Sequence, residues 1–154
     1  MTIRIISVGK KHDSFIQSII EEYEKRLRKF SKVEWIIVPP SHSADKDQQI
    51  TEESQAITKH LKVKDVVILL DERGKQYTNE QFAVLVNTNM NQGASLLCFI
   101  IGGAYGVDDA LRQRSDFIWS LSPLVFPHQL VRVMLVEQLY RTFMLLKNHP
   151  YHHQ

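Results

Sequence analysis

Five apolar runs that hardly alternate with polar residues constrain this chain more than any other feature. They are Ile3–Val8, Val33–Val38, Val66–Leu70, Ala94–Ile101 and Asp116–Leu121. A strand with one solvated face alternates apolar with polar residues. A run such as "ASLLCFII" has almost no polar side to offer water, so both of its faces must be covered. Helical patterns separate the runs. Phe15, Ile19, Tyr23 and Leu27 recur at four-residue spacing, with Ile16, Ile20 and Phe30 beside them and "EEYEKRLRK" solvated outside; they predict an amphipathic helix. The tract "SHSADKDQQ" reads as a polar, mobile segment, and Ile50, Ile57 and Leu61 predict a second helix after it. "DERGK" reads as the turn after the third strand. Thr78 with Gln81 three residues on is a capping box opening a helix through about Asn89. A short helix is expected over Asp108–Arg114 and a long one over His128–Lys147, with Asp108 and Asp109 at the start of the short one. Alternating strands and helices of this kind predict an α/β fold: a mostly parallel sheet with helices on both faces. The 154 residues fit one domain spanning 1–154.

Charge narrows the partners. Nineteen basic against seventeen acidic side chains leave a formal net charge of +2, too little to announce a nucleic-acid binder by composition. The distribution is uneven. From Arg112 onward the charged residues are Arg112, Arg114, Arg132, Arg141 and Lys147 against Asp116 and Glu137, with His128, His149, His152 and His153 besides. That part of the chain can meet a polyanion. The lone Cys98 lies inside an apolar run and is expected to be a buried structural thiol. No apolar run approaches the ~20 residues that span a bilayer, and the first residues do not read as a signal peptide, so no membrane partner and a cytoplasmic location are expected. His149, His152 and His153 lack a fourth ligand, so no metal is expected.

In sheets of this kind ligands sit beyond the carboxyl ends of the strands. The relevant ends are Leu70-Asp71, Gly102-Gly103 and Ser120-Leu121-Ser122. "IGGAYG" is not a dinucleotide fingerprint, because Ile101 occupies the first glycine position. It is not a phosphate loop either, because no Lys-Ser or Lys-Thr pair follows it. Alone it means a tight turn or a close backbone approach. In "SLSPLVFPHQLVR" two prolines, Pro123 and Pro127, stiffen a loop leaving the sheet at that same edge. The last helix is apolar nearly all round and is expected to be buried on more than one face, in the core or at a subunit interface. Its polar residues Arg132, Glu137, Gln138 and Arg141 then need partners.

"IGGAYG", "WSLSPLVFPHQLVRVMLVEQLYRTF" and the terminal "NHPYHH", with "VGK", "EYEKRL" and "LDERGK" before them, resemble the RlmH family of SPOUT methyltransferases in order and over the whole chain. The resemblance implies an α/β-knot (SPOUT) fold with a C-terminal trefoil knot, which general rules of chain topology would not predict. It implies a homodimer that binds S-adenosyl-L-methionine in the knot. The implied reaction is methylation of N3 of pseudouridine 1915 in helix 69 of 23S rRNA, on the assembled 70S ribosome. Carried over by residue, the cofactor contacts fall on Leu70, Gly103, Ser122, Pro123, Leu124, Val125, Phe126 and Pro127. Gly102 and Gly103 would leave room for the ligand where a Cβ would clash, and Leu70, Leu124 and Phe126 would pack the adenine faces. Two positions depart from the family: Val125 where relatives often have Thr, and His153 where they often have Arg or Lys.

Tyr151, His152 and Arg141 are the catalytic candidates; His152 with Tyr151 could take the N3 proton, or this tail could stack on and cap the RNA. Arg132, Arg141, His149, Tyr151, His152 and His153 are the RNA-binding candidates, with an ion pair to Glu137 as the competing reading of Arg141. Two rival functions stay open: a non-enzymatic ribosome-associated binding protein, and a doubly wound domain for another nucleotide such as a flavin.

Overall fold

The computed structural model describes residues 1–148. Among them five strands and five helices alternate: β1 Thr2–Val8, α1 Ser14–Leu27, β2 Lys32–Val38, α2 Lys46–Thr58, β3 Val66–Lys75, α3 Asn79–Asn91, β4 Leu96–Ile101, α4 Asp109–Arg114, β5 Phe117–Trp119 and α5 His128–Leu146. The strands form one sheet in the order β2-β1-β4-β3-β5. Every neighbouring pair is parallel, so the sheet is parallel throughout.

The apolar runs explain the layers. Successive side chains of a strand point to opposite faces. On one face Leu97, Phe99 and Ile101 of β4 join Ile3, Ile5 and Ile68, under α1, α3 and α5. On the other, Cys98 and Ile100 join Ile6, Val8, Val67 and Leu69, under Ile57 of α2 and Leu111 of α4. Cys98 is fully buried, and burial pushes its thiol up to about 12, so it is a core residue without nucleophilic character. Trp119 stacks on Phe82 with ring centroids 3.9 Å apart, and Phe99 meets both rings edge-on. This aromatic cluster fastens the short edge strand β5 and helix α3 to the centre of the sheet. From β5, α5 turns back to pack on α1 and α3. Its Leu135, Val136, Leu139 and Phe143 are buried, while Val133, Met134, Tyr140 and Leu145 are half-buried and Leu130 is exposed.

The capping box forms as expected: Thr78 Oγ1 accepts from the Gln81 N–H at 3.1 Å, and Gln81 Oε1 accepts from the Thr78 N–H at 3.0 Å. Asp108 caps α4 by accepting from the Leu111 N–H at 2.8 Å.

Three expectations are corrected. The buried stripe of α1 is Ile16, Ile20 and Leu27, whereas Phe15 is 72% and Ile19 43% exposed. Both rows are apolar and differ by one residue, about 100° around the helix, so periodicity could not choose between them; packing against α5 and the sheet does. "SHSADKDQQ" is not a free segment. Asp45 caps α2 by accepting from the Gln48 N–H at 2.7 Å, and the helix begins at Lys46. "DERGK" is not a turn but the continuation of β3, where a register shift between Leu70 and Lys75 brings Lys75 opposite Trp119. Gly74 permits this approach: a Cβ there would stand 2.6 Å from the Ile118 carbonyl oxygen.

Phe99→Ala should cost about 3–5 kcal/mol, because it empties the centre of the larger cluster. Thr78→Ala should cost about 1 kcal/mol, the worth of one helix cap. Urea unfolding checks both, and the order of the two is the discriminating outcome.

Candidate functional site

The carboxyl ends of β3, β4 and β5 open into one cleft of about 460 Å³. Each predicted strand end reaches it. Leu70 comes from β3, Gly102 and Gly103 from the turn after β4, and Ser122, Leu124, Val125 and Phe126 from the loop after β5. Val131 and His128 of α5 and Lys46 of α2 complete the wall. Leu69, Ile101 and Trp119 give it an apolar floor, and charged side chains are confined to Lys46, Asp71, Glu72 and Arg73. Volume, apolar floor and exposed loop backbone are those of a small-molecule site.

Pro123 and Pro127 do not line the cleft, although both were expected to touch the ligand. They act on the loop instead. Pro127 is the N-cap of α5, and its carbonyl accepts from the N–H groups of Leu130 and Val131 at 3.0 and 3.1 Å. The two serines also shape the loop: Ser120 Oγ donates to the Ser122 carbonyl at 3.0 Å, and Ser122 Oγ accepts from the Leu124 N–H at 3.1 Å.

The glycine turn answers to a residue that sequence reasoning missed. A Cβ built on Gly103 would collide with Oε1 of Glu53 and lie 3.0 Å from its Cδ. Glu53 is only 3% exposed, and its other oxygen accepts from the Ser41 N–H at 3.0 Å. The adjacent Ser54 accepts from the Asp108 N–H at 2.9 Å. Helix α2 thus braces the glycine turn from behind. The space expected at Gly103 for a ligand is taken by this carboxylate, so Gly103 itself presents only backbone to the cleft. Glu53 stands in a polar helix beside another glutamate, and nothing in that pattern marks it as buried.

Asp71 lies at the mouth with a largely buried side chain. Burial alone would raise its carboxyl. Hydrogen bonds from the Arg73 side chain and backbone outweigh this, with help from the Arg112 guanidinium, and hold it down at about 2. It is therefore an anion at any physiological pH, already neutralised by two arginines and tying α4 to β3.

Arg132 was expected at an RNA surface and is instead 1% exposed. Its Nε donates to Ser7 Oγ at 3.1 Å, and its Nη1 donates to the Lys10 carbonyl at 2.8 Å and lies 3.3 Å from His12 Nδ1. Burial lowers the His12 imidazolium and the neighbouring guanidinium lowers it further, against a smaller pull from Glu21, so the ring is neutral and Nδ1 can accept. Arg132 pins the chain after β1 to the first turns of α5. A helix apolar nearly all round gave no sign of which face held this arginine. Arg141 pairs with Glu137, Nη2 to Oε1 at 2.6 Å, one helical turn apart and outside the cleft lining. His149, Tyr151, His152 and His153 lie outside the described residues. Among the described residues no three His, Cys, Asp or Glu side chains are placed to hold a metal, and no helix is long and apolar enough to cross a membrane.

Comparison with known proteins places the chain in a family. A family model described as "Predicted SPOUT methyltransferase" matches residues 1–152. A protein of Christiangramia forsetii named ribosomal RNA large subunit methyltransferase H is 40% identical over 157 residues, covering 100% of both chains. A protein of the same name from Clostridium botulinum strain 657 is 41% identical over 99% of both. A solved structure of a probable methylase family protein from Haemophilus influenzae shares the fold, with a TM-score of 0.54 at 13% identity, covering 99% of this chain and 70% of that one.

A double-mutant cycle tests the bracing of the turn. Gly103→Ala should destabilise the domain by about 1–3 kcal/mol, the usual effect of overpacking. In a Glu53→Ala background the same change should cost far less, because the colliding carboxylate is gone. Chemical denaturation of the four proteins reads the coupling; additive effects would contradict the contact.

Proposed function

Since the chain belongs to the SPOUT methyltransferases, and within them to the ribosomal RNA large subunit methyltransferase H family, we propose that it is an S-adenosylmethionine-dependent rRNA methyltransferase. Its proposed target is N3 of pseudouridine 1915 in helix 69 of 23S rRNA, on the assembled 70S ribosome in the cytoplasm. One observation carries the reading: Leu70, the Gly102-Gly103 turn and the Ser122–Phe126 loop, distant in sequence, converge on a single cleft. The C-terminal trefoil knot belongs to the same proposal, and the return of α5 from the edge strand β5 onto α1 and α3 supports it.

The residues present suit the cofactor. Backbone N–H and C=O groups of the two loops would hydrogen-bond the adenine edge, while Leu70, Leu124 and Phe126 would pack its faces. When bound, the cofactor supplies a methyl group on a sulfonium already activated for displacement. The protein's task is then mainly to hold the acceptor nitrogen in line and keep water out. The acceptor's N3 proton must leave. Arg141 cannot take it, because a guanidinium stays protonated and this one is paired with Glu137; its part is to hold charge. Tyr151 and His152 remain the groups to test as a base. Arg132, being buried, leaves the RNA-binding set.

We also propose a homodimer. Phe15, Ile19 and Leu130 are exposed apolar residues at the starts of α1 and α5, which the Gln129 side chain ties together through the Asp13 N–H and the Lys11 carbonyl. An unpartnered apolar surface of this kind favours association. A +2 chain offers few phosphate contacts and should bind naked rRNA weakly.

Calorimetry should show S-adenosylmethionine binding at micromolar affinity or better. A flavin-coloured protein that ignores it would favour a nucleotide-binding domain, and a colourless one that ignores it would favour a non-enzymatic binder. Large-subunit rRNA from cells lacking the protein should lose one methyl group by mass spectrometry, and tritium transfer should be efficient on ribosomes and poor on free rRNA. Light scattering should give twice the 17.9 kDa chain mass; a monomer at micromolar concentration would sink the dimer.

A further inference from the structure

The glycine turn carries an aromatic ring that the cofactor reading does not use. Tyr105 stands between Gly103 and Gly106 and is 53% exposed at the rim of the cleft. The turn beneath it is rigid. Gly103 and Gly106 pair across it, with the Gly106 N–H donating to the Gly103 carbonyl at 3.0 Å, and Gly106 has a φ of +83° that favours glycine. Glu53 and Ser54 of α2 brace the turn from behind. The Tyr105 hydroxyl makes no hydrogen bond among the described residues. The Lys46 ammonium lies 5.2 Å from the Tyr105 ring centroid. Lys46 is exposed in the first turn of α2 and lines the same cleft.

Among the described residues Lys46 has no ion pair, and an exposed aromatic held on a fixed turn beside a cation is a pairing by which proteins take unstacked bases. The ring offers a face for the base, and the ammonium meets the phosphate. Arg73 adds a second cation on this rim, though paired with Asp71, and Glu72 is the acidic neighbour. We infer that Tyr105 and Lys46 form a stacking platform at the mouth of the cleft for an unpaired RNA base adjoining the one that receives the methyl group. The inference rests on the proposed activity for the identity of that second base. The platform itself rests on the ring, the ammonium and their place on the rim. Because stacking reads every base's face, the platform would add affinity and placement without choosing a sequence.

The test uses the full chain as wild type, Tyr105→Ala, Tyr105→Phe and Lys46→Ala. A short unstructured fluorescent RNA at low salt reports RNA affinity by anisotropy, and calorimetry reports S-adenosylmethionine affinity. Tyr105→Ala should weaken RNA binding about fivefold or more while leaving cofactor affinity within about twofold, and Tyr105→Phe should restore RNA binding because the stacking face is kept. Lys46→Ala should weaken RNA binding less and flatten its salt dependence. On ribosomes the Tyr105→Ala loss should appear mainly in KM. Unchanged RNA affinity in Tyr105→Ala, or no RNA binding by the wild type, overturns the platform. An equal loss of cofactor affinity would make the ring a wall of the cofactor site and overturns it too. A wild type that binds RNA through Tyr105 yet transfers no methyl group would instead overturn the proposed function and leave the platform standing.

Discussion

Strand β4 pairs in parallel with β1 on one side and β3 on the other, and its residues from Leu97 to Ile101 are buried. A strand so placed has no route to water from either face or either edge. Its neighbours must supply all its backbone hydrogen bonds, and helices must cover both faces. The three-layer arrangement follows from that requirement. So does the location of the cleft, because parallel strands place their carboxyl ends on one edge, where β3, β4 and β5 release their loops side by side.

Two buried polar side chains then set the shape of that edge. Glu53 stands behind the glycine turn and fills the space that a Cβ on Gly103 would need. Arg132 joins Ser7, Lys10 and His12 to α5, one turn beyond the His128 that lines the cleft. Neither sits in the cleft, and neither is matched by an ion pair among the described residues. Their full burial is offset by fixed neutral dipoles, an arrangement that tolerates little movement. Rigidity behind the loops holds the wall of the cleft in one shape in front of them. The Asp71 carboxylate does related work at the mouth, where Arg73 and Arg112 converge on it.

The position of the cleft was legible because ligand edges of parallel sheets follow from where the strands end. The ends of the apolar runs pointed to Leu70, Gly102, Gly103 and Ser122, the resemblance added Leu124, Val125 and Phe126, and the structure brings these residues to one cleft. What failed were three inferences that needed to know which way a side chain points. Gly103 looked like room for a ligand and is room for Glu53. Arg132 looked like a phosphate contact and is an internal anchor. Phe15 and Ile19 looked like core and lie outside, one position from the residues that are core.

The sequence by itself determined the elements, their order and the need for cover on both faces, because hydrophobic runs, caps and turn chemistry act over a few residues and leave a local record. The Thr78–Gln81 box and the Asp108 cap are of this kind. Only the tertiary structure decided which row of α1 is buried, that "DERGK" extends β3 past Gly74, and what stands behind Gly103. Each of these depends on a neighbour distant in the chain: α5 for the first, Ile118 for the second, Glu53 for the third. Contacts of that range are set by how the layers pack, and a one-dimensional pattern carries no term for them.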